Sequence, residues 1–509
     1  MGVPPLSTFY ARADQHPDRL AVLAPDGRRA TFGELAARAN QLTHALHGLG
    51  FGAGDGVVAI VHNGLPYFEL LFATLQAGMY FTPVNYRSSA DEIAYVVGNS
   101  GARVVIADAD IAKSCTEALD DLGIGADRRF AIGGAEGWSD YSSWGASESD
   151  VAPENPTAGQ TMLYTSGTTG RPKGVRRALS GQPPSLHPIH RDLLALMDVH
   201  PGEGVHLVPC PLYHAAPGSF AVNALHVGHS LVLMDKFDAE ETLRLIQEHR
   251  VTDTHLVPTM FHRMLRLPED VRARYDTSSL TSVIHGAAPC PREVKERMIK
   301  WLGPVVHEYY GASEGLICGV TASEWLEAPG TVGRALTGVR LKVLGDDGET
   351  ELPDGEPGSI YFSSSHTQLD YLGDPGKTAA SRSGEFITVG DYGYRDPEGR
   401  VFLLDRRTDL ILSGGVNIYP AEIEARLLTH PDVADAAVIG EADEEWGQRV
   451  IAVVEPVAGV SGDASLAARL EEHCRAALAG FKTPKRFDFT EKLPRTESGK
   501  MLRRTLRQA

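Results

Sequence analysis

Cysteine is scarce and unpaired. Five cysteines (Cys115, Cys210, Cys290, Cys318 and Cys474) lie scattered through 509 residues with no C-x-x-C pair. That usage excludes a disulfide framework and fits a reducing, cytoplasmic setting. No apolar run approaches the ~18–20 residues of a membrane-spanning helix. The opening residues, Met1 to Tyr10, show no charged segment followed by an apolar run, so no signal peptide is expected. Positive charge is also in deficit: 48 Lys and Arg against 66 Asp and Glu give a net charge of −18. General nucleic-acid binding and a polybasic membrane anchor are therefore disfavoured, although a local basic site is not. The histidines form no H-E-x-x-H motif, and His187 and His190 share a Pro-rich loop, Ser180–His190, in which metal binding is the weaker reading.

What is present suits a large globular protein. Hydrophobic residues make up 42% of the chain, ample for cores, and a chain of this length exceeds one compact core, so two to four domains or subdomains are expected. Short apolar runs alternate with helical patterns. Thr31 and Glu34 have capping-box spacing ahead of Leu35, Ala39, Leu42 and Leu46. Residues 7–50 accordingly read as an opening helix and a second, amphipathic helix. Val57–Val61, Arg103–Ala107, Val205–Pro209, Leu231–Met234 and His255–Pro258 read as buried strands, with helices at Pro66–Ala77 and Ala239–His249. The alternation predicts βαβ units around a parallel sheet. Residues 135–160 read as a polar connecting stretch. Towards the end of the chain a strand at Val450–Val454 and a helix at Ala464–Leu478 are expected.

The chain is organised around Thr161 to Val175, T-M-L-Y-T-S-G-T-T-G-R-P-K-G-V. A strand end runs into hydroxyl pairs (Thr165 and Ser166, Thr168 and Thr169), glycines (Gly167, Gly170) and a lysine (Lys173). Glycines let backbone N–H groups close on an anion, hydroxyls donate further bonds, and lysine supplies a compact positive charge. The spacing is not that of a Walker loop, G-x-x-x-x-G-K-[ST]. Further along, Ser282–Pro289 is a strand ending in the small residues Gly286, Ala287 and Ala288, where a flat ring can lie against the backbone. In His307–Glu314, Tyr310 precedes Gly311 and is placed to stack on a base, Ser313 to donate to a phosphate, and Glu314 to hold Mg²⁺. Asp391 sits between glycines in a tight turn suited to accept two ribose hydroxyls; an Asx-turn is the better reading of that residue alone, and the neighbouring motifs favour the ligand role. Tyr213 and His214 follow a strand, and the residues alone leave pocket lining and core lining equally open.

These motifs, in this order, resemble the adenylate-forming superfamily: acyl-CoA synthetases, peptide-synthetase adenylation domains and beetle luciferases. The resemblance covers nearly the whole chain. It implies an α/β fold with a large, multi-subdomain N-terminal domain over residues 1–405 and a small, mobile α+β C-terminal domain over 406–509. It implies that the loop from Thr165 to Lys173 binds ATP phosphates, that Gly286–Ala288, Tyr309, Tyr310 and Gly311 bound the adenine, and that Asp391 and Arg406 reach the nucleotide. Ser313, Glu314 and Lys500 are the implied catalytic residues. Thr408 stands at the hinge pivot, where Asp or Lys is usual. Gly414, Gly415, Trp446, Phe481 and Lys485 are the implied CoA contacts, and Arg503 and Arg504 are expected at the surface. Tyr213, His214, Phe220, Met260 and Phe261 are the implied acyl-pocket walls.

The activity implied is ligation of a carboxylic acid to coenzyme A with ATP and Mg²⁺, through an acyl-adenylate. The run from His255 to Tyr310 resembles actinobacterial fatty-acyl ligases and relatives that activate steroid or bile-acid side chains. A terpenoid or steroid-like acid is therefore the first expectation and a medium or long fatty acid the second. Two other outcomes stay open: thioesterification alone, with a partner enzyme supplying the adenylate, and loading of a separate carrier protein. A homodimer is the expected assembly.

Overall fold

The computed structural model describes residues 8–165, 172–364, 369–372, 374–496 and 501–507. Its large body holds two mainly parallel α/β sheets and, between Arg340 and Arg406, a six-stranded antiparallel sheet. Six short strands form an all-parallel sheet in the spatial order 139–140, 129–132, 102–108, 56–60, 80–83 and 160–161. Helices Ala90–Ser100 and Ala109–Asp121 pack on it through Ile93, Val97, Ile111 and Leu119. Burial on both faces explains the unbroken apolar runs of the central strands. A second sheet has nine strands. It is parallel from Leu20–Leu23 through Ser230–Leu233, Val205–Val208, Asp253–Leu256 and Ser282–His285 to Val306–Ala312, with antiparallel strands at both ends. Helix Phe32–Gly48 starts at the expected box: Glu34 N–H donates to the Thr31 hydroxyl and Thr31 N–H to the Glu34 carboxylate.

Residues 420–489 form a separate three-stranded sheet with helices Pro420–Leu428 and Ala464–Arg475. Its core gathers Ile423, Leu427, Val438, Val450 and Leu470.

Several expectations change. Strands Leu20–Leu23 and Arg29–Thr31 divide the first two helices; at four and three residues they carry too little periodicity to read from sequence. The Pro-rich loop gives way at Pro188 to a helix ending at Leu196, with proline in its first turn and the His187 Nδ1 accepting from Ile189 N–H. The connecting stretch buries Trp138, Tyr141 and Trp144 despite its polar composition. The helix expected to reach Leu478 stops at Arg475.

In open parallel sheets, ligands gather beyond the carboxyl ends of the strands. Here those ends deliver Gly286, Val257 and Gly311–Glu314 to one side of the nine-stranded sheet.

Candidate active site

Strands Leu163–Thr165 and Lys173–Arg177 pair antiparallel, with Lys173 opposite Thr165 and Gly174 opposite Tyr164. They hold the two ends of the expected phosphate loop together. A Cβ at Gly174 would come 3.1 Å from the Tyr164 ring, a tight approach that favours glycine there. Ser166, Gly167, Thr168, Thr169 and Gly170 lie outside the described residues, as does Lys500. A third strand, Leu369–Tyr371, continues this small sheet. Lys173 makes an ion pair with Asp374, which also caps helix Pro375–Ala380 by accepting from Lys377 N–H. The hydrogen bond from Lys173 holds the Asp374 carboxyl below its usual range.

Beside this sheet the strand Val306–Ala312 brings in Tyr310 and leads to Glu314. Tyr310 donates its hydroxyl to Asp391 Oδ2 at 2.7 Å, and Arg406 Nε lies 3.4 Å from Asp391 Oδ1. Asp391 and Arg406 are direct partners across an antiparallel ladder, so the acid and the base arrive as a pair. Glu314 is 7% exposed and accepts from the Tyr371 hydroxyl at 2.6 Å. The half-buried Arg177 donates to the Ser313 carbonyl at 2.5 Å. Burial lowers the Arg177 pKa, and the Glu314 charge opposes that shift.

Gly286 follows its strand with Tyr309 packed directly beneath; any Cβ there would meet the tyrosine ring at 2.6 Å. Ala287 next to it has φ +65°, a left-handed conformation uncommon for alanine. Tyr309 points its hydroxyl to His255 Nε2 at 3.2 Å, and His255 stacks on Phe220 with ring centroids 4.9 Å apart. Tyr213 packs on His214 and, edge-on, against Tyr86. Burial pushes the His214 imidazole down to about 4, so it is neutral near pH 7. Met260 lies buried with its sulfur 3.7 Å from Cys210 Sγ. Phe261 is fully buried in the core between helix Pro258–Leu265 and the sheet, edge-on to His285.

On the small unit, Gly414 and Gly415 turn a hairpin between Ile411–Ser413 and Val416–Ile418, both with positive φ. Gly414 N–H donates to the Trp446 carbonyl. A Cβ at Gly414 would meet the Trp446 ring at 2.7 Å. Trp446 is 55% and Phe481 49% exposed, and Lys485 is exposed as well. Thr408 is exposed, its carbonyl accepting from Arg507 at 3.4 Å.

Arg503 is a correction. It was expected at the surface, but it is largely buried, donating to both Glu424 oxygens at 2.7 Å and pairing with Asp409 at 3.2 Å. Its carboxylate partners come from elements 79 and 94 residues away, beyond any local pattern. The sequence reading also missed Arg177, Tyr371 and Asp374. The only signal was a Tyr and an Asp flanking Leu372–Gly373 just before a proline-started helix.

The comparisons with known proteins bear on the whole chain. Residues 9–372 match the model of the AMP-binding enzyme family, and residues 422–500 match that of the AMP-binding enzyme C-terminal domain. A fatty acid–[acyl-carrier-protein] ligase, ScoC, of Streptomyces coeruleorubidus is 32% identical over 99% of this chain and 95% of its own. A 2-succinylbenzoate–CoA ligase of Geobacillus kaustophilus is 34% identical over 98% of this chain and 96% of its own. Among solved structures, the o-succinylbenzoate CoA synthetase of Bacillus subtilis, in complex with its acyl-adenylate intermediate, aligns with a TM-score of 0.80 at 27% identity. That alignment covers 99% of this chain and 98% of the other.

Proposed function

The chain belongs to the AMP-binding enzyme family, as an acyl-CoA synthetase that uses ATP and CoA and works through an acyl-adenylate, and from that premise we propose how its residues divide the work and which acid it takes. In the first step a carboxylate attacks the α-phosphate of ATP, giving acyl-AMP and pyrophosphate. In the second, the CoA thiol attacks the acyl carbonyl and AMP leaves.

The observation that carries the reading is the convergence of Lys173, Glu314, Asp391 and Arg406 beyond the ends of the parallel strands. Lys173 faces the phosphates. Asp391 receives the ribose hydroxyls, with Arg406 beside it. Gly286–Ala288 and Tyr310 bound the adenine. No three side chains able to ligate a metal cluster among the described residues. A single buried carboxylate, Glu314, still fits Mg²⁺, which is commonly held by one or two carboxylates together with substrate phosphates. Bound there, the ion would neutralise charge on the departing pyrophosphate. Lys500 would act on the α-phosphate and the acid. Residues 1–405 and 406–509 would form the two moving bodies, pivoting at Thr408, so that the Gly414–Gly415 hairpin replaces the Lys500 face for the second step.

For the acid, a ring-bearing carboxylate of terpenoid or steroid-like bulk is the first reading and a medium or long fatty acid the second. The aromatic cluster of Phe220 stacked on His255, with Tyr309 tilted against both, beside Gly286 supports a ring. Phe261, fully buried in the core, supports neither. The test is a panel of polycyclic, aryl and fatty acids supplied with Mg-ATP and CoA, with acyl-CoA read by mass. Ring acids should lead in kcat/KM, and a clear preference for unbranched chains sinks the ring reading. The carrier-protein ligase among the relatives favours one second reading, a phosphopantetheinyl carrier as acceptor; CoA and a loaded carrier compared at equal concentration decide it.

A further inference from the structure

The side chains around Glu314 form a set that neither the sequence motifs nor the family match assigns. Tyr371 closes the strand Leu369–Tyr371, and its ladder pairing with Val175 places it across from the strand that begins with Lys173. From there its hydroxyl reaches the Glu314 carboxylate, and both side chains are buried. The Lys377 ammonium lies 4.3 Å above the tyrosine ring. On the neighbouring strand Arg177 holds the Ser313 carbonyl, the peptide immediately before Glu314. The same short turn that carries Tyr371 also carries Asp374, the partner of Lys173. Lys173, read as the phosphate contact, and Glu314, read as the cation's carboxylate, are thus both tied to one three-stranded sheet.

Resting on the reading of Glu314 as the cation's carboxylate, we propose that Tyr371 is a positioning residue for it. The hydroxyl donates to Oε1, fixes the carboxylate rotamer before nucleotide arrives, and leaves the other oxygen for the cation. A glutamate side chain loses much rotamer freedom when it is immobilised, and a hydrogen bond already in place removes that cost from the binding step. Partners of this kind are worth on the order of ten- to a hundredfold in metal affinity at other sites. Tyr371→Phe removes only the hydroxyl and keeps the ring, its packing and its contact with Lys377.

The experiment measures binding of α,β-methylene-ATP by calorimetry, with Mg²⁺ and with the divalent cation chelated. It compares the parent, Tyr371→Phe, Glu314→Gln and the double variant. Tyr371→Phe should weaken the Mg²⁺ complex about tenfold and leave metal-free binding unchanged. Glu314→Gln should weaken it at least as much, and the double variant should be no weaker than Glu314→Gln alone, since the two groups act as a unit. Parent-like binding by Tyr371→Phe beside a weakened Glu314→Gln overturns the positioning role and leaves the reading of Glu314 standing. Parent-like binding by Glu314→Gln overturns that reading and the inference with it. Equal weakening with and without Mg²⁺ assigns Tyr371 to packing and overturns the inference.

Discussion

On the large body, Glu314 already rests against Tyr371, Asp391 against Tyr310, and Lys173 against Asp374. On the small unit, Trp446 and Phe481 stand about half exposed, joined by Leu412 and Val416 of the same hairpin region. The first set is a fixed electrostatic cradle in which each of these three charged groups has a protein partner before substrate arrives. The second set leaves two large rings about half open to solvent. Preorganised charge lowers a barrier most where charge develops, at the phosphates. An exposed aromatic face suits a mobile ligand that must enter and leave in every cycle. The contrast matches the proposed two-step reaction, in which adenylation would rely on the cradle and thioester formation on the small unit.

The sharpest break between the two regions is expected at Lys500. Lys500→Ala should cost roughly 10²–10³-fold in pyrophosphate release and spare thioester formation from supplied acyl-AMP; equal loss in both arms contradicts the division. Next comes Asp391→Asn. Losing a charged acceptor for the Tyr310 hydroxyl and for ribose should raise the KM for ATP about tenfold, with little change in the KM for CoA. A rise in both would mean that the cradle and the CoA face are not separable. Trp446→Ala should act in the opposite sense, raising the KM for CoA by roughly three- to tenfold if the ring stacks on the adenine. Because Trp446 is so exposed, neither the melting temperature nor pyrophosphate release should move.

The smallest effect is expected at the seam. Asp405 accepts from Arg406 N–H at 2.7 Å and Ala421 N–H at 3.0 Å, and burial pushes its carboxyl up to about 6. A folded value above the unfolded one, about 3.9, means that the protonated form is favoured by folding. That contribution is complete below about pH 4 and is lost as pH rises through about 6. The melting temperature of Asp405→Asn relative to the parent should therefore rise between about pH 4 and pH 7. A constant difference would show that folding does not raise the Asp405 pKa.

The sequence was most legible where function repeats a local pattern. The capping box at Thr31, the strand before Gly286 and the helix Ala239–His249 could all be read from neighbours a few residues apart. Glu314 and Asp391 stood out because each sits in a short motif with its own chemistry, and Arg406 through the family resemblance alone. What stayed hidden depends on distant pairing. Tyr371 meets Glu314 across 57 positions and Arg177 meets Ser313 across 136. Arg503 is buried by carboxylates from two other elements. Trp138, Tyr141 and Trp144 sit in a polar stretch whose composition gave no sign of a core. Phe261 shows the reverse error available to motif reading: an aromatic near a pocket segment is turned by helix Pro258–Leu265 into the core behind it.

The most direct test of the two-region account is a burst measurement on the unmodified protein. Enzyme, Mg-ATP and a competent acid are mixed without CoA, pyrophosphate is counted against enzyme, and CoA is then added. The account predicts a rapid burst approaching one pyrophosphate per active site, with acyl-AMP held on the protein, followed by conversion of that adenylate to thioester when CoA arrives. Thioester formed from supplied acyl-AMP with no pyrophosphate burst for any acid would contradict it, because the cradle around Glu314 and Lys173 would then serve no adenylation step.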